Sequence, residues 1–335
     1  MIESIRVNKK QIQIIDQTLL PQEEKYIHIL DYKSMIEAIK KLRIRGAPAI
    51  GIAGLAASAL ALDELKHKAS CKEDLLLALD EIENARPTAV NLSYAINVAR
   101  DFVMNNAFSP DSEYLWEQTL QLISEEENYC RLMATNGVKE IYHGQAELRI
   151  LTHCNTGSLA TYGDGTALSV IKALAKKTKV IVWADETRPL LQGARLTMWE
   201  LMKEGIECYL ISDSMAAHTI KTKHIDLIIT GADRITTNGD SANKIGTLGL
   251  SILADYYKIP FYIVAPSTTI DRNLTRGEEI IIEEREADEL RCIKGISVAP
   301  AKCQVFNPAF DVVDNQHITA IITDRGVFKQ PYDFR

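Results

Sequence analysis

The 335-residue sequence lacks several features that would have settled its class early. It has no internal repeat, no low-complexity tract and no C-x-x-C pair. Its six cysteines (Cys71, Cys130, Cys154, Cys208, Cys292, Cys303) are scattered, which argues against both a disulfide framework and a zinc site and predicts reduced thiols. No apolar run reaches the roughly 20 residues that span a bilayer. The longest, Ala47 to Leu62, is interrupted by Pro48 and Ser58 and reads as a buried core helix. The opening MIESIRVNKKQIQI carries no signal-like apolar core and no small-residue cleavage site, so the expected compartment is the cytoplasm. A basic excess is also missing. With 38 Lys plus Arg against 45 Asp plus Glu the net charge is −7, which speaks against a broad nucleic-acid or membrane footprint.

What is present is an ordinary globular composition, 46 % hydrophobic and 25 % charged, long enough for about two domains at roughly 150 residues each. The texture changes near residue 140, predicting domains 1–140 and 141–335. Before it, the alternating Gln11-Ile12-Gln13-Ile14 suggests a small β-ribbon, and helical spacing recurs near 33–44, 48–64, 72–84, 93–107 and 112–136. After it come short runs apolar on both faces: Leu148–Thr152, Val180–Trp183, Cys208–Ile211, Leu227–Thr230 and Phe261–Ala265. Such runs suit parallel strands covered on both sides. Helical segments lie between them, one over Ala167, Val170, Ile171 and Leu174, another starting at Pro189. The expected fold is α/β, a β-ribbon and helical subdomain followed by a doubly wound, mostly parallel Rossmann-like domain.

In such sheets ligands bind beyond the carboxyl ends of the strands. The segments there are polar: His153-Cys154-Asn155-Thr156-Gly157, Asp185-Glu186-Thr187-Arg188, Ser212-Asp213-Ser214, Gly231-Ala232-Asp233-Arg234 and Pro266-Ser267-Thr268-Thr269. Cys154 reads either as a thiol activated beside a turn or as a small buried hydrophobe. Asp233 reads either as a carboxylate aimed at the crevice or as a turn cap. His153, adjacent to Cys154 on a strand, points to the other face and has a structural role.

The glycines Gly163 and Gly165 do not complete G-x-G-x-x-G, and no Walker A sequence is present, so neither nucleotide loop is expected. Three basic turns remain. Arg45-Gly46-Ala47-Pro48 leads into an apolar helix, Arg86-Pro87-Thr88 is a basic turn of the same subdomain, and Asn243-Lys244-Ile245-Gly246-Thr247 reads as a helix start, either an anion site or a solvated cap.

Taken together, these segments resemble the methylthioribose-1-phosphate isomerases. The resemblance rests on Arg45-Gly46-Ala47-Pro48-Ala49-Ile50-Gly51, Arg86 through Leu92, Thr152-His153-Cys154-Asn155 with Gly157, and Glu186-Thr187-Arg188-Pro189 with Gln192-Gly193. It continues through Gly231-Ala232-Asp233-Arg234-Ile235, Gly239-Asp240 to Thr247, and Asn307-Pro308-Ala309-Phe310-Asp311, in order along nearly the whole chain. The wider family includes isomerases of ribose 1,5-bisphosphate and 5-deoxyribose 1-phosphate, and regulatory subunits of a translation-initiation exchange factor.

The resemblance implies conversion of 5-methylthioribose 1-phosphate to 5-methylthioribulose 1-phosphate in methionine salvage, by a cytoplasmic homodimer. It makes Cys154 and Asp233 the catalytic pair and Arg45, Gly46, Ala47, Arg86, Gln192, Asn243 and Lys244 the substrate-binding positions. Because the anomeric oxygen is esterified, ring opening needs a proton donor, the part assigned to Asp233, which burial would keep protonated. Cys154 is then the base or a transition-state stabiliser. Neither route requires a metal or an organic cofactor. An acidic Asp164 beside the site would disfavour a second phosphate, which ranks the methylthio substrate above the deoxy and bisphosphate ones. The other class open to the fold is a non-catalytic, nucleotide-sensing regulatory subunit. Arg45 and Arg86 come from the helical part and Lys244 from the α/β part, so the expected site is a cleft between them.

Overall fold

The computed structural model describes residues 2–8, 10–87, 89–105 and 108–334. Contacts divide the chain into two compact units, Met1–Cys130 with Ser158–Gly165, and Arg131–Gly157 with Thr166–Arg335. The division falls inside a helix, ten residues before the change of texture at 140.

In the first unit, β1 (Ile5–Asn8), β2 (Gln11–Ile15) and β3 (Tyr26–Ile29) form an antiparallel sheet. Five helices follow, α1 (Tyr32–Lys40), α2 (Ala47–Leu65), α3 (Cys71–Glu83), α4 (Val90–Met104) and α5 (Glu113–Ile141). Each matches a helical stretch expected from the apolar spacing. α2 is apolar all round because it is surrounded. It is the one described helix long and apolar enough to cross a membrane, yet 89 % of that stretch is buried inside the protein, as a core helix requires. Its small residues let α4 approach closely: a Cβ at Gly51 would lie 3.1 Å from the Asn91 carbonyl and one at Gly54 would meet Leu92 and Ala95. Both contacts advance along the two helices together, so α2 and α4 run parallel and start at the same end.

The second unit is built on a seven-stranded sheet. Its strands are β4 (Glu147–Thr152), β5 (Lys179–Asp185), β6 (Glu207–Ile211), β7 (Leu227–Thr230), β10 (Phe261–Val264), β15 (Ala320–Thr323) and β16 (Gly326–Phe328). The order is β16-β15-β10-β7-β4-β5-β6, parallel except for β16, which turns back on β15. The first five strands in sequence order within this sheet (β4 to β7, then β10) are those legible from their apolar runs. From β4 the chain moves outward through β5 and β6, then returns to the other side of β4 for β7, β10 and β15, so the order reverses between β4 and β7. The connecting helices are α6 (Ala167–Ala175), α7 (Met198–Lys203), α8 (Ala216–Lys223) and α9 (Thr247–Tyr257).

A smaller sheet, not anticipated from the sequence, has the order β11-β8-β9-β14, formed by β8 (Arg234–Thr236), β9 (Ser241–Lys244), β11 (Ile270–Asp271) and β14 (Phe310–Val313). A hairpin of β12 (Cys292–Ile293) and β13 (Ile296–Ser297) lies between β11 and β14 in the chain. The helix expected from Pro189 starts later. Leu191 is left-handed (φ 57°), so the helical path begins at Gly193 with a π-turn over Gly193–Thr197 before α7. No disulfide links any of the six cysteines, all of which are described.

Candidate functional site

The reversal point of a parallel sheet leaves a crevice at the strands' carboxyl ends. Three expected residues follow the three strands there: Asp233 after β7, Cys154 after β4 and Gln192 after β5. Thr152 of β4 is level with Ile229 of β7 and with Ala184 of β5, so these segments leave the sheet at the same edge.

Cys154 is held on both sides. It is 8 % exposed and left-handed, with φ 61°. Its N–H donates to Thr187 Oγ1 at 2.9 Å and its carbonyl accepts from Thr197 Oγ1 at 2.5 Å. The next residue, Asn155, donates to Thr197 Oγ1 at 3.3 Å and to Glu200 Oε1 at 2.9 Å. Glu200 is fully buried and lies 3.7 Å from Lys172 Nζ, which keeps its charge compensated. Thr197 closes the π-turn, a distortion frequent at functional sites. Gly193 opens that turn, and a Cβ there would sit 1.7 Å from the Asp185 carbonyl oxygen, so only glycine permits this approach. Gln192 is 5 % exposed, and its buried Oε1, like the Thr156 and Thr230 hydroxyls beside the same strand ends, has no hydrogen-bond partner among the described residues. Buried polar atoms of this kind are uncommon and suit contact with a hydroxyl-bearing ligand.

His153 has the structural role expected of it. Nε2 lies 2.8 Å from the Ile245 carbonyl and Nδ1 2.8 Å from Asp185 Oδ2. A carbonyl only accepts, so Nε2 carries a hydrogen, and the Nδ1–Oδ2 contact needs a second proton. Burial alone would pull the imidazole down, but the hydrogen bond and charge of Asp185 hold it above its ordinary 6.5. Burial pushes the Asp185 carboxyl up against the pull of His153. Both directions favour retention of a shared proton by the pair. With Asp213, these residues form the one described grouping whose ligand-type atoms lie within 4.8 Å of one another. Asp213 is committed to the N–H groups of Thr187 and Arg188, both at 2.7 Å, so the grouping serves the loop.

Asp233 differs from the expectation of burial. It is exposed, because it opens the turn from β7 into β8, with its N–H on the Ala242 carbonyl at 2.9 Å. Arg234 pairs with Ala242, and continuing that antiparallel register sets Asp233 beside Asn243. Asn243 and Lys244 do not form a helix start, as their sequence suggested, but end β9. The helix behind them, α9, begins at Thr247, and its first N–H groups are taken: Gly246 N donates to Asp311 Oδ2 at 2.8 Å and Leu248 N to Asp311 Oδ1 at 3.1 Å. An internal carboxylate therefore holds the place predicted for a phosphate. Asn243 Nδ2 donates to Thr247 Oγ1 at 3.0 Å. Lys244 Nζ donates to the Ala309 carbonyl at 2.9 Å and lies 4.6 Å from the centre of the Phe310 ring.

Within the first unit, Arg45, Gly46 and Ala47 lead into α2, and Arg86 lies in the turn before α4, so the parallel helices bring both basic turns to one end. Gly46 is left-handed (φ 89°), and a Cβ there would lie 2.2 Å from the Ala160 carbonyl oxygen. Thr88 of the second turn lies outside the described residues. Asp213, Thr187, Thr197 and Glu200 were not singled out from the sequence. Only the Glu186-Thr187-Arg188-Pro189 and Ser212-Asp213-Ser214 segments hinted at two of them.

The profile of the Initiation factor 2 subunit family matches residues 43–330. The chain belongs to this family. A methylthioribose-1-phosphate isomerase of Pelotomaculum thermopropionicum is 48 % identical over 332 residues, covering 96 % of this chain and 89 % of that protein. Among solved structures, 5-methylthioribose 1-phosphate isomerase from Pyrococcus horikoshii has a TM-score of 0.88 at 39 % identity, with 99 % and 94 % of the two chains covered. Translation initiation factor eIF-2B, subunit delta, from A. fulgidus has a TM-score of 0.86 at 38 % identity, with 99 % and 97 % covered.

Proposed function

We propose that the chain is an aldose–ketose isomerase converting 5-methylthioribose 1-phosphate to 5-methylthioribulose 1-phosphate, a methionine-salvage step. The observation that carries this reading is the arrangement at the sheet's reversal point, where a held cysteine and an exposed aspartate follow two adjacent parallel strands. The similarity to the Pelotomaculum and Pyrococcus isomerases supports the choice of substrate. Asp233 acts as general acid on the ring oxygen, since an anomeric carbon esterified to phosphate cannot open freely. Cys154 acts at C2 as base or transition-state stabiliser while hydrogen passes to C1. Arg45, Gly46, Ala47, Arg86, Gln192, Asn243 and Lys244 bind the substrate, the cations taking the phosphate. Lys244 would exchange the Ala309 carbonyl for that ligand. The working form is a cytoplasmic homodimer.

A second reading, a non-catalytic regulatory subunit, draws on the A. fulgidus structure. The test is to incubate the purified protein separately with 5-methylthioribose 1-phosphate, 5-deoxyribose 1-phosphate and ribose 1,5-bisphosphate and to follow ketose formation. The expected order of kcat/KM is methylthio, then deoxy, then bisphosphate. Turnover of none of them would replace the isomerase reading with the regulatory one. Product formed in heavy water separates the two routes, because a base-mediated transfer introduces deuterium at C1 and a hydride shift does not.

A further inference from the structure

We infer that Thr187 is a positioning residue for Cys154, an inference that rests on the isomerase reading for its kinetic consequence but not for its geometry. Thr187 is fully buried and left-handed, with φ 63°. A β-branched residue adopts that conformation only where its surroundings over-determine it. Here they do. Asp213 clamps its N–H and that of Arg188, one to each carboxylate oxygen. Its hydroxyl donates to the Asp185 carbonyl at 3.1 Å, and the same oxygen accepts the Cys154 N–H at 2.9 Å. A Cβ on Gly193 would lie 2.9 Å from that hydroxyl, so the turn packs closely around it.

Two left-handed residues from loops 33 positions apart are thus joined by one hydrogen bond, and the second of them carries the reacting thiol. Both lie beyond the ends of their strands, where the ladder imposes no conformation. The hydroxyl supplies what a backbone alone does not: one acceptor for Cys154 N–H and one donor for the neighbouring strand end. Together with the Thr197 bond to the Cys154 carbonyl, it fixes the residue's backbone, and through it the point from which the thiol projects.

The test compares Thr187→Val, which keeps the shape and removes the hydroxyl, with Thr187→Ser, which keeps the hydroxyl. Misplacement of a reacting group costs up to about 100-fold in rate, so Thr187→Val is expected to lower kcat by about 10- to 100-fold with KM within about twofold, while Thr187→Ser restores kcat to within about threefold of wild type. Alkylation of Cys154 by iodoacetamide, followed on the peptide that contains it, should change in rate in the Val variant and return in the Ser variant. Should the Val variant not fold, Asp213→Asn loosens the clamp without touching Cys154 and is expected to shift the same two readouts in the same directions. Wild-type kcat and an unchanged alkylation rate in Thr187→Val, or equal losses in the Val and Ser variants, would overturn the inference. The alkylation readout stands apart from turnover, so a fully active Cys154→Ser would remove the catalytic reading and leave the positioning result to be judged separately.

Discussion

Beyond β4 the chain turns at a buried Cys154 whose N–H and carbonyl are each held by a threonine hydroxyl, and the neighbouring His153, Asp185 and Glu200 are buried as well. Beyond β7, the next strand in the sheet, Asp233 stands exposed, its N–H bonded to the Ala242 carbonyl of the smaller sheet. One member of the proposed pair is fixed before any ligand arrives. The other stands exposed where the chain passes from β7 into β8. The contrast teaches that two neighbouring strand ends can differ sharply: one is locked by side-chain hydrogen bonds, the other faces solvent.

Substitutions test this contrast through stability, and the largest effect belongs at the held end. Removing one member of a buried pair leaves the other unpaired, so His153→Ala should lower unfolding free energy by about 3–5 kcal/mol in urea denaturation. The wild type should also carry a pH signature there. His153 is held above its ordinary 6.5, so the folded state keeps a proton that the unfolded chain loses. Stability from this pair is full below that value and falls as pH rises through the folded value, by at most about 1.4 kcal/mol per pH unit, a slope that His153→Ala should abolish. A smaller loss, about 1 kcal/mol, is expected for Asp311→Asn, which weakens the carboxylate cap on α9. At the open end, Asp233→Asn should change stability by no more than about 0.5 kcal/mol. Comparable losses at His153 and Asp233 would erase the distinction.

The sequence disclosed the five strands whose runs are apolar on both faces, because burial on two sides leaves no other composition. It disclosed the helices of the first unit by their spacing, and α2 by its long apolar run. Ala320–Thr323 shares the apolar character of these five strands and is the sixth parallel strand of the sheet. β8 and β9 could not be read: Ser241-Ala242-Asn243-Lys244 is polar and short, and becomes a strand by pairing with β8 and, 69 residues on, with β14. The cap on α9 was hidden for the same reason, since Asp311 is 65 residues from Gly246. Cys154 and Asp233 were legible as polar residues at strand ends. What holds Cys154 was not, because a left-handed threonine and a π-turn are products of packing and leave no period in the chain.

The most direct measurement is ketose formation from 5-methylthioribose 1-phosphate by the wild type, Cys154→Ser and Asp233→Asn, each first shown to be folded by its denaturation midpoint. The account predicts turnover by the wild type and a fall of about 10²- to 10⁴-fold in kcat for each variant. Wild-type rates in either folded variant would contradict it.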